Sequence, residues 1–321
     1  MRHVTLVVVG DPNAPQMRLL KRLPEQVEVI VSNNFDELRA AVPKADVLLN
    51  GGFHNSLFTL VFPFANKAQW VHNMSTGVEG VLSPEVISSP IPLTNGRGVF
   101  NNILAEFVAA AILYFAKDLR RMIRNQQAGR WEQFDVLPAR GATLGIIGYG
   151  NLGRETAKVA HCLGMKVVAL RRSGNIDNDE LLAGAYTRDR IYEMLAICDY
   201  LAIAAPLTEE TRGMIGEREL NALKPDAVVI NIGRGPILNE SALVRALESR
   251  RIKGAALDVF DQEPLPPGHP FFRLENVLLS PHCADHTAGW PDLAMNKFLE
   301  IFQNFWNNQP LFNVVDKKAG Y

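Results

Sequence analysis

The sequence predicts a two-domain α/β protein built on parallel sheets. Three observations point there. The chain has 321 residues, about twice a common single domain of ~150 residues. Short apolar runs alternate with amphipathic helical stretches in both halves. A cluster of breakers, Pro90, Pro92, Gly96 and Gly98, separates the two series and marks the domain boundary.

In the first series Leu6 to Gly10, Val27 to Val31, Ala45 to Asn50 and Trp70 to Asn73 read as strands. Phe35 to Val42 spaces its apolar residues helically, and Asn34 is placed to cap it. The alanine-rich stretch from Asn101 through Lys117 is apolar on most faces, which predicts a buried helix between domains or subunits. From Thr143 a second series begins, with strands at Leu144 to Gly148, Lys166 to Leu170, Tyr200 to Ala204, Val228 to Ile232, Ala255 to Val259 and Val277 to Leu279. Helices are expected between them, one over Glu240 to Ser249 opened by Asn239, another following Thr208-Glu209-Glu210. Six strands with helical crossovers suit a doubly wound sheet. After His286 one long helix and a polar tail are expected to pack back on the first domain. The chain holds no internal repeat and no low-complexity segment.

Composition excludes several classes. With 47% hydrophobic and 21% charged residues and a formal net charge of -1, nothing calls for nucleic acid or an anionic membrane as partner. No stretch reaches the roughly 20 uncharged apolar residues of a membrane span. Val4 to Val9 lacks the flanks of a signal peptide and reads as a buried strand. Cys162, Cys198 and Cys283 have no CxxC spacing and cannot all pair, which fits a reducing cytoplasm. His54, His72, His161 and His286 show no paired ligand spacing, so no metal site is expected.

Gly148-Tyr149-Gly150-Asn151-Leu152-Gly153 follows an apolar strand and opens a helix. Glycines at this spacing make a tight turn and let a pyrophosphate approach the helix N-terminus, where free N–H groups attract anions. The spacing alone is weak, and a plain strand-to-helix turn is the bland alternative. The flanking strand and helix, with a second strand over Lys166 to Leu170, favour a Rossmann dinucleotide site. That second strand ends in Arg171-Arg172-Ser173, where Asp or Glu would hold the ribose hydroxyls of NAD. Guanidinium groups pair with phosphate oxygens, so NADP(H) is the preferred cofactor and NAD(H) stays possible. The alternative is that both arginines are a solvated strand end.

Arg234, Glu263 and His282 each stand just past the carboxyl end of a later strand, where ligands bind in open α/β sheets. A guanidinium between Gly233 and Gly235 suits a carboxylate and its neighbouring carbonyl oxygen. Hydride addition to a ketone leaves an alkoxide, and histidine is the best-matched proton donor near neutrality, so His282 takes that role. Glu263 would hydrogen-bond the imidazole and favour its protonated form. Singly, each residue could be a surface or loop residue; together on the sheet that carries the glycine loop they point to hydride transfer with a small 2-oxo or 2-hydroxy acid.

These residues, with Ala205-Pro206-Leu207-Thr208, Thr211 and Gly213, Asn231 to Gly235, Leu257 to Phe260 and Pro281-His282, resemble the D-isomer-specific 2-hydroxyacid dehydrogenases almost end to end, the glyoxylate and hydroxypyruvate reductases in particular. The resemblance implies a Rossmann domain over residues 98–285 and a flavodoxin-like α/β substrate domain made from 1–97 and 286–321. It implies Arg234, Glu263 and His282 as the catalytic set. Gly148, Gly150, Asn151, Leu152, Gly153, Arg171, Arg172, Ser173, Ala205, Pro206, Thr211, Ile232, Gly233, Arg234, Asp258 and His282 would contact the cofactor. Ser75-Thr76-Gly77-Val78 is similar to the loop whose N–H groups hold the substrate carboxylate, giving Thr76 and Gly77 as contacts beside Arg234 and His282, with Gly52 at a neighbouring strand end. Arg171 and Arg172 depart from the family's usual acidic residue, and Glu79 stands where Asp is common. The family implies a homodimer through the Rossmann domain, with the Asn101 helix and Gly129-Arg130-Trp131 as the interface arm. Trp131 reaching a partner's site and Trp131 as a plain tryptophan weigh equally. His72 and His286 are placed at the border of the substrate pocket.

Formate dehydrogenases resemble the chain but carry Gln where Glu263 stands, which speaks against formate. A dinucleotide-sensing, corepressor-like binding module without turnover is the alternative from another class. Cys283 beside His282 makes a poor nucleophile, because nothing near it in sequence lowers a thiol pKa.

Overall fold

The computed structural model describes residues 3–52, 55–172 and 179–321. Tertiary contacts divide the chain into two compact units, residues 1–99 with 286–321 and residues 100–285.

The first unit holds β1 (Val4–Val9), β2 (Val27–Ser32), β3 (Val47–Asn50), β4 (Trp70–Asn73) and β5 (Leu93–Asn95). They pair in parallel in the order β2-β1-β3-β4-β5, a flavodoxin-like arrangement. All of β1 is buried, which is why its sequence is an apolar run rather than an alternation. The helix Phe35–Ala41 begins where the Asn34 side chain accepts the N–H groups of Asp36 and Glu37. Strand β5 is not legible in the sequence, because Pro92 and Gly96 bracket three residues; an edge strand tolerates proline just before it.

The helix Trp290–Trp306 covers this same sheet. Phe298 stacks on Trp70 with ring centroids 5.3 Å apart, and both are fully buried. Each such ring is worth roughly 1.5–3 kcal/mol of burial. Past it, Asn313 Nδ2 donates to the carbonyls of Asn95 and Arg97, and Lys317 Nζ donates to those of Ser89 and Ile91. The tail thus closes onto the edge strand β5.

The second unit holds β6 (Thr143–Ile147), β7 (Lys166–Leu170), β8 (Gly184–Tyr186), β9 (Tyr200–Ile203), β10 (Val228–Asn231), β11 (Gly254–Leu257) and β12 (Val277–Leu279). Their order is β12-β11-β10-β9-β6-β7-β8, all parallel. Seven strands replace the six expected, since β8 is too short to show a pattern. The chain runs outward from β6 to β8 and returns to lay β9 on the other flank of β6. That reversal makes a topological switch point between the carboxyl ends of β6 and β9. The helix Asn101–Ala116 belongs to this unit and buries Val108, Ile112 and Phe115 in a core shared with Leu144, Ile146 and Ala160.

One expected helix begins later than its acidic run suggests. Residues after Thr208-Glu209-Glu210 form a turn, and the helix begins only at Glu217. Thr211 Oγ1 accepts from the Thr208 N–H at 2.8 Å and donates to the Pro206 carbonyl at 2.7 Å, while Gly213 takes a φ of 62°. Hydroxyls that bond local backbone offer it an alternative to a helix, and the left-handed glycine ends any helical run. Among the described residues no helix is long and apolar enough to cross a membrane.

Candidate active site

The switch point carries the glycine loop. A Cβ on Gly148 would lie 2.5 Å from the Ala205 nitrogen, and one on Gly153 would lie 2.2 Å from the Gly148 oxygen. Those two glycines are dictated by the protein's own packing. Gly150 is different: a Cβ there would meet nothing within 4 Å. It caps the helix Asn151–Cys162 with no side-chain hydrogen bond, so the helix's first N–H groups face space kept clear by a missing side chain. This is the fit a pyrophosphate needs. Gly233 is pressed against the same place, with its would-be Cβ 2.8 Å from the Ala205 oxygen. The Ile232 side chain is buried in the core, which leaves only its main chain for a cofactor. The Thr211 hydroxyl is engaged within its own turn, so it shapes the Ala205-Pro206 loop.

Beyond β7, the Arg171 guanidinium lies over the Tyr149 ring, 5.5 Å from its centroid. Arg154, on the first turn of the glycine-loop helix, pairs with Asp179 at 2.6 Å. Arg172 is exposed nearby in sequence, and Ser173 lies outside the described residues.

At the far strands three loops interlock. His282 Nδ1 and Glu263 Oε2 are 2.6 Å apart, and Glu263 Oε1 accepts the Phe260 N–H at 2.9 Å. Gly235, next to Arg234, is so close to the Glu263 loop that a Cβ would sit 2.0 Å from the Phe260 carbonyl carbon. The bond from Glu263, joined by its negative charge, raises the His282 pKa against the opposing effect of burial. Burial pushes Glu263 up, but the bonds from His282 and Phe260 outweigh it and hold the carboxyl below its ordinary range. The Arg234 charge acts on both groups, lowering each. Arg234 Nη1 also donates to the Gly233 carbonyl at 2.6 Å. Asp258, buried at the end of β11, accepts at a single oxygen from Ser280 Oγ (2.5 Å) and from the N–H groups of Cys283 and Ala284 (3.0 Å each).

In the first unit β3, β4 and β5 each end on a buried asparagine: Asn50, Asn73 and Asn95, aligned in register. Asn50 Nδ2 donates to Asn73 Oδ1 at 2.9 Å. Asn73 Nδ2 donates to the carbonyls of Ser75 and Gly77, and Asn95 Nδ2 to that of Thr76 at 2.7 Å. With these carbonyls held, the N–H groups of Thr76, Gly77 and Val78 have no acceptor among the described residues. Successive N–H groups of this kind make an anion cradle. Gly52 follows β3, its nitrogen 3.2 Å from where a Gly10 Cβ would stand.

Known proteins resemble this chain in sequence and in fold. Residues 109–284 match the model of the D-isomer specific 2-hydroxyacid dehydrogenase, NAD binding domain. A glyoxylate reductase of Aeropyrum pernix is 36% identical over 235 residues, 70% of this chain and 69% of that one. The chain belongs to the D-isomer specific 2-hydroxyacid dehydrogenase family. The structure of an NADPH-dependent glyoxylate/hydroxypyruvate reductase from Sinorhizobium meliloti, in complex with NADP and sulfate, superposes with a TM-score of 0.87 at 26% identity, covering 100% of each chain. A D-isomer specific 2-hydroxyacid dehydrogenase from Xanthobacter autotrophicus, in complex with NADPH and MES, gives 0.84 at 27% identity, again over 100% of both. The dehydrogenase is therefore an NAD(P)-dependent oxidoreductase of hydroxy acids. The corepressor-like alternative finds no support in these relatives.

Sequence reasoning missed three features of this dehydrogenase. In the sequence the asparagine row lies in Val-Leu-Leu-Asn, Trp-Val-His-Asn and Leu-Thr-Asn, the last of them in a strand that the sequence alone does not reveal. Arg154 follows the last glycine of the loop directly. Asp258 was expected beside the cofactor, and its bonds add a second task, gathering the His282 turn. His72 is a correction: its ring is fully buried in the first unit, 2.7 Å from Thr94 Oγ1, and burial pushes its pKa down to about 3. A neutral core imidazole does not border a pocket. His286 stacks on Trp290 with centroids 4.4 Å apart.

Proposed function

We propose that this dehydrogenase is an NADP(H)-preferring reductase of small 2-oxo acids of the glyoxylate and hydroxypyruvate class. The observation that carries it is the 2.6 Å bond between His282 Nδ1 and Glu263 Oε2, beside the Arg234 charge and on the sheet that opens the Gly150 cradle.

Gly148, Gly150, Asn151, Leu152 and Gly153 would hold the pyrophosphate, with Arg171, Arg172 and Ser173 toward a 2′-phosphate and Arg154 close by. The Ala205-Pro206 turn shaped by Thr211, the main chain of Ile232 and Gly233, and Asp258 would hold the other end. When bound, the nicotinamide supplies the hydride. Arg234 holds the acid and polarises its carbonyl oxygen. Glu263 takes the Nδ1–H of His282, which directs Nε2 and its proton to the substrate oxygen as negative charge develops there. In alcohol oxidation the same nitrogen takes the proton back. The N–H groups of Thr76 and Gly77, with Gly52 alongside, would receive the carboxylate. Residues 1–97 with 286–321 thus serve the substrate, and 98–285 the dinucleotide.

A homodimer through the dinucleotide domain is part of this proposal. Leu119, Met122 and Ile123 on the helix Leu119–Gln127, then Trp131 at 95% exposure, Val136 and Leu137, line up exposed apolar side chains along one stretch. Two exposed free thiols, Cys162 and Cys283, support a reducing cytoplasm as its place.

Loss of nicotinamide absorbance with glyoxylate, hydroxypyruvate and bulkier 2-oxo acids, each with NADPH and NADH, tests the function. Turnover led by NADPH and a small acid is expected; silence with every acid sinks it.

A further inference from the structure

We propose that Ser280 is a positioning residue for the proton donor: through Asp258 it locks the turn that presents His282 to Glu263. His282 has a φ of 51°, a left-handed backbone that is uncommon for a residue with a Cβ and is sustained here by its surroundings. The support is visible. Asp258 Oδ1 collects the Ser280 hydroxyl at 2.5 Å from before His282, and the N–H groups of Cys283 and Ala284 at 3.0 Å from after it. Ser280 and Asp258 are 8% and 2% exposed, so water does not replace these bonds cheaply. One buried oxygen therefore grips both arms of a four-residue turn whose apex carries the imidazole. Cys283 Sγ, 3.5 Å from Ser280 Oγ, closes the same knot. Without the serine hydroxyl the strand-side arm keeps its main-chain bond from the Ser280 N–H to the Leu257 carbonyl (2.8 Å) but loses its tie to Asp258, so the left-handed residue is freer to relax toward ordinary backbone and the imidazole to shift from the carboxylate that orients it.

The inference rests on the reading of His282 as proton donor, and the test separates the two. Ser280→Ala is expected to lower kcat about tenfold while the dissociation constant of NADPH, followed by nicotinamide fluorescence, stays within about twofold. The falling limb of the pH profile of reduction should move to lower pH, because the imidazole loses contact with Glu263. Ser280→Thr, which keeps the hydroxyl, should restore both. If the alanine chain does not fold, Ser280→Cys, a weaker donor of similar size, carries the same expectation in smaller measure. Wild-type kcat and pH profile in the variant, equal damage in the threonine chain, or cofactor affinity falling in step with kcat would each overturn the proposal. His282→Gln is the control: if it retains full activity, the proton-donor reading itself has failed, whereas its inactivity beside a normal Ser280→Ala enzyme defeats the positioning role alone.

Discussion

Asn73 Nδ2 donates to the carbonyl oxygen of Gly77 at 2.9 Å, and that bond decides which way the loop after β4 turns its peptide groups. A carbonyl held inward turns the next N–H outward. Asn73 also accepts from Asn50, so its two ends are committed to one orientation.

Asn73→Ala should therefore weaken the cradle rather than the chemistry. KM for the 2-oxo acid is expected to rise roughly tenfold with kcat within about twofold, since the lost interaction serves ground state and transition state alike. The orphaned buried groups should cost about 1–3 kcal/mol of stability, read as a lower melting temperature. An unchanged KM in a folded variant would remove this loop from substrate binding.

The Glu263–His282 pair fixes the sign of the pH dependence. His282 is raised by the bond and charge of Glu263, so it stays protonated to higher pH, and reduction declines only as pH climbs through that raised value. Glu263→Gln should shift this decline to lower pH with cofactor affinity intact. For stability the raised histidine contributes fully below its unfolded value and loses that contribution as pH rises through its folded one. The lowered carboxyl contributes above its unfolded value and loses that contribution as pH falls through its folded one. The bond thus stabilises the fold most between the ordinary Glu and His values, and an identical pH–rate profile in the variant would refute the coupling.

We propose that cofactor choice is set by the arginines past β7. Arg171 lies over Tyr149, and its guanidinium with that of the neighbouring Arg172 would attract a 2′-phosphate that a carboxylate there would repel. Changing both to alanine should raise KM for NADPH about tenfold or more and that for NADH far less. Equal rises for the two cofactors would assign the arginines elsewhere.

Strands that are mostly apolar, such as Val4–Val9 and Lys166–Leu170, were legible because burial on both faces writes itself into composition. Of the three-residue strands, Val277–Leu279 was legible because it is wholly apolar, whereas Leu93–Asn95 and Gly184–Tyr186 were not, since polar residues or glycine break up so short a run. The helix that starts only at Glu217 shows local hydroxyl bonds overriding an acidic run that otherwise reads as a helix start. The candidate site divided the same way. Arg234, Glu263 and His282 stand beside glycine or proline at strand ends, a local signal. Ser280 carries none, and the resemblance that singled out Asp258 said nothing of its bond to Ser280, which only the fold makes.

Alone, the sequence determined the class of sheet, the glycine loop, the arginine pair past the second strand and the chemical inventory of the reacting groups. Those depend on spacing along the chain, which hydrophobic period and turn chemistry record directly. Tertiary structure decided which of these groups meet: that Asp258 gathers three donors from a turn more than 20 residues away, that Gly235 rests on Phe260, and that His72 is a core residue. Parallel strands bring their carboxyl ends together only through crossovers of a dozen or more residues, so contacts at that edge are written in the pairing order of the sheet and not in any local stretch of chain.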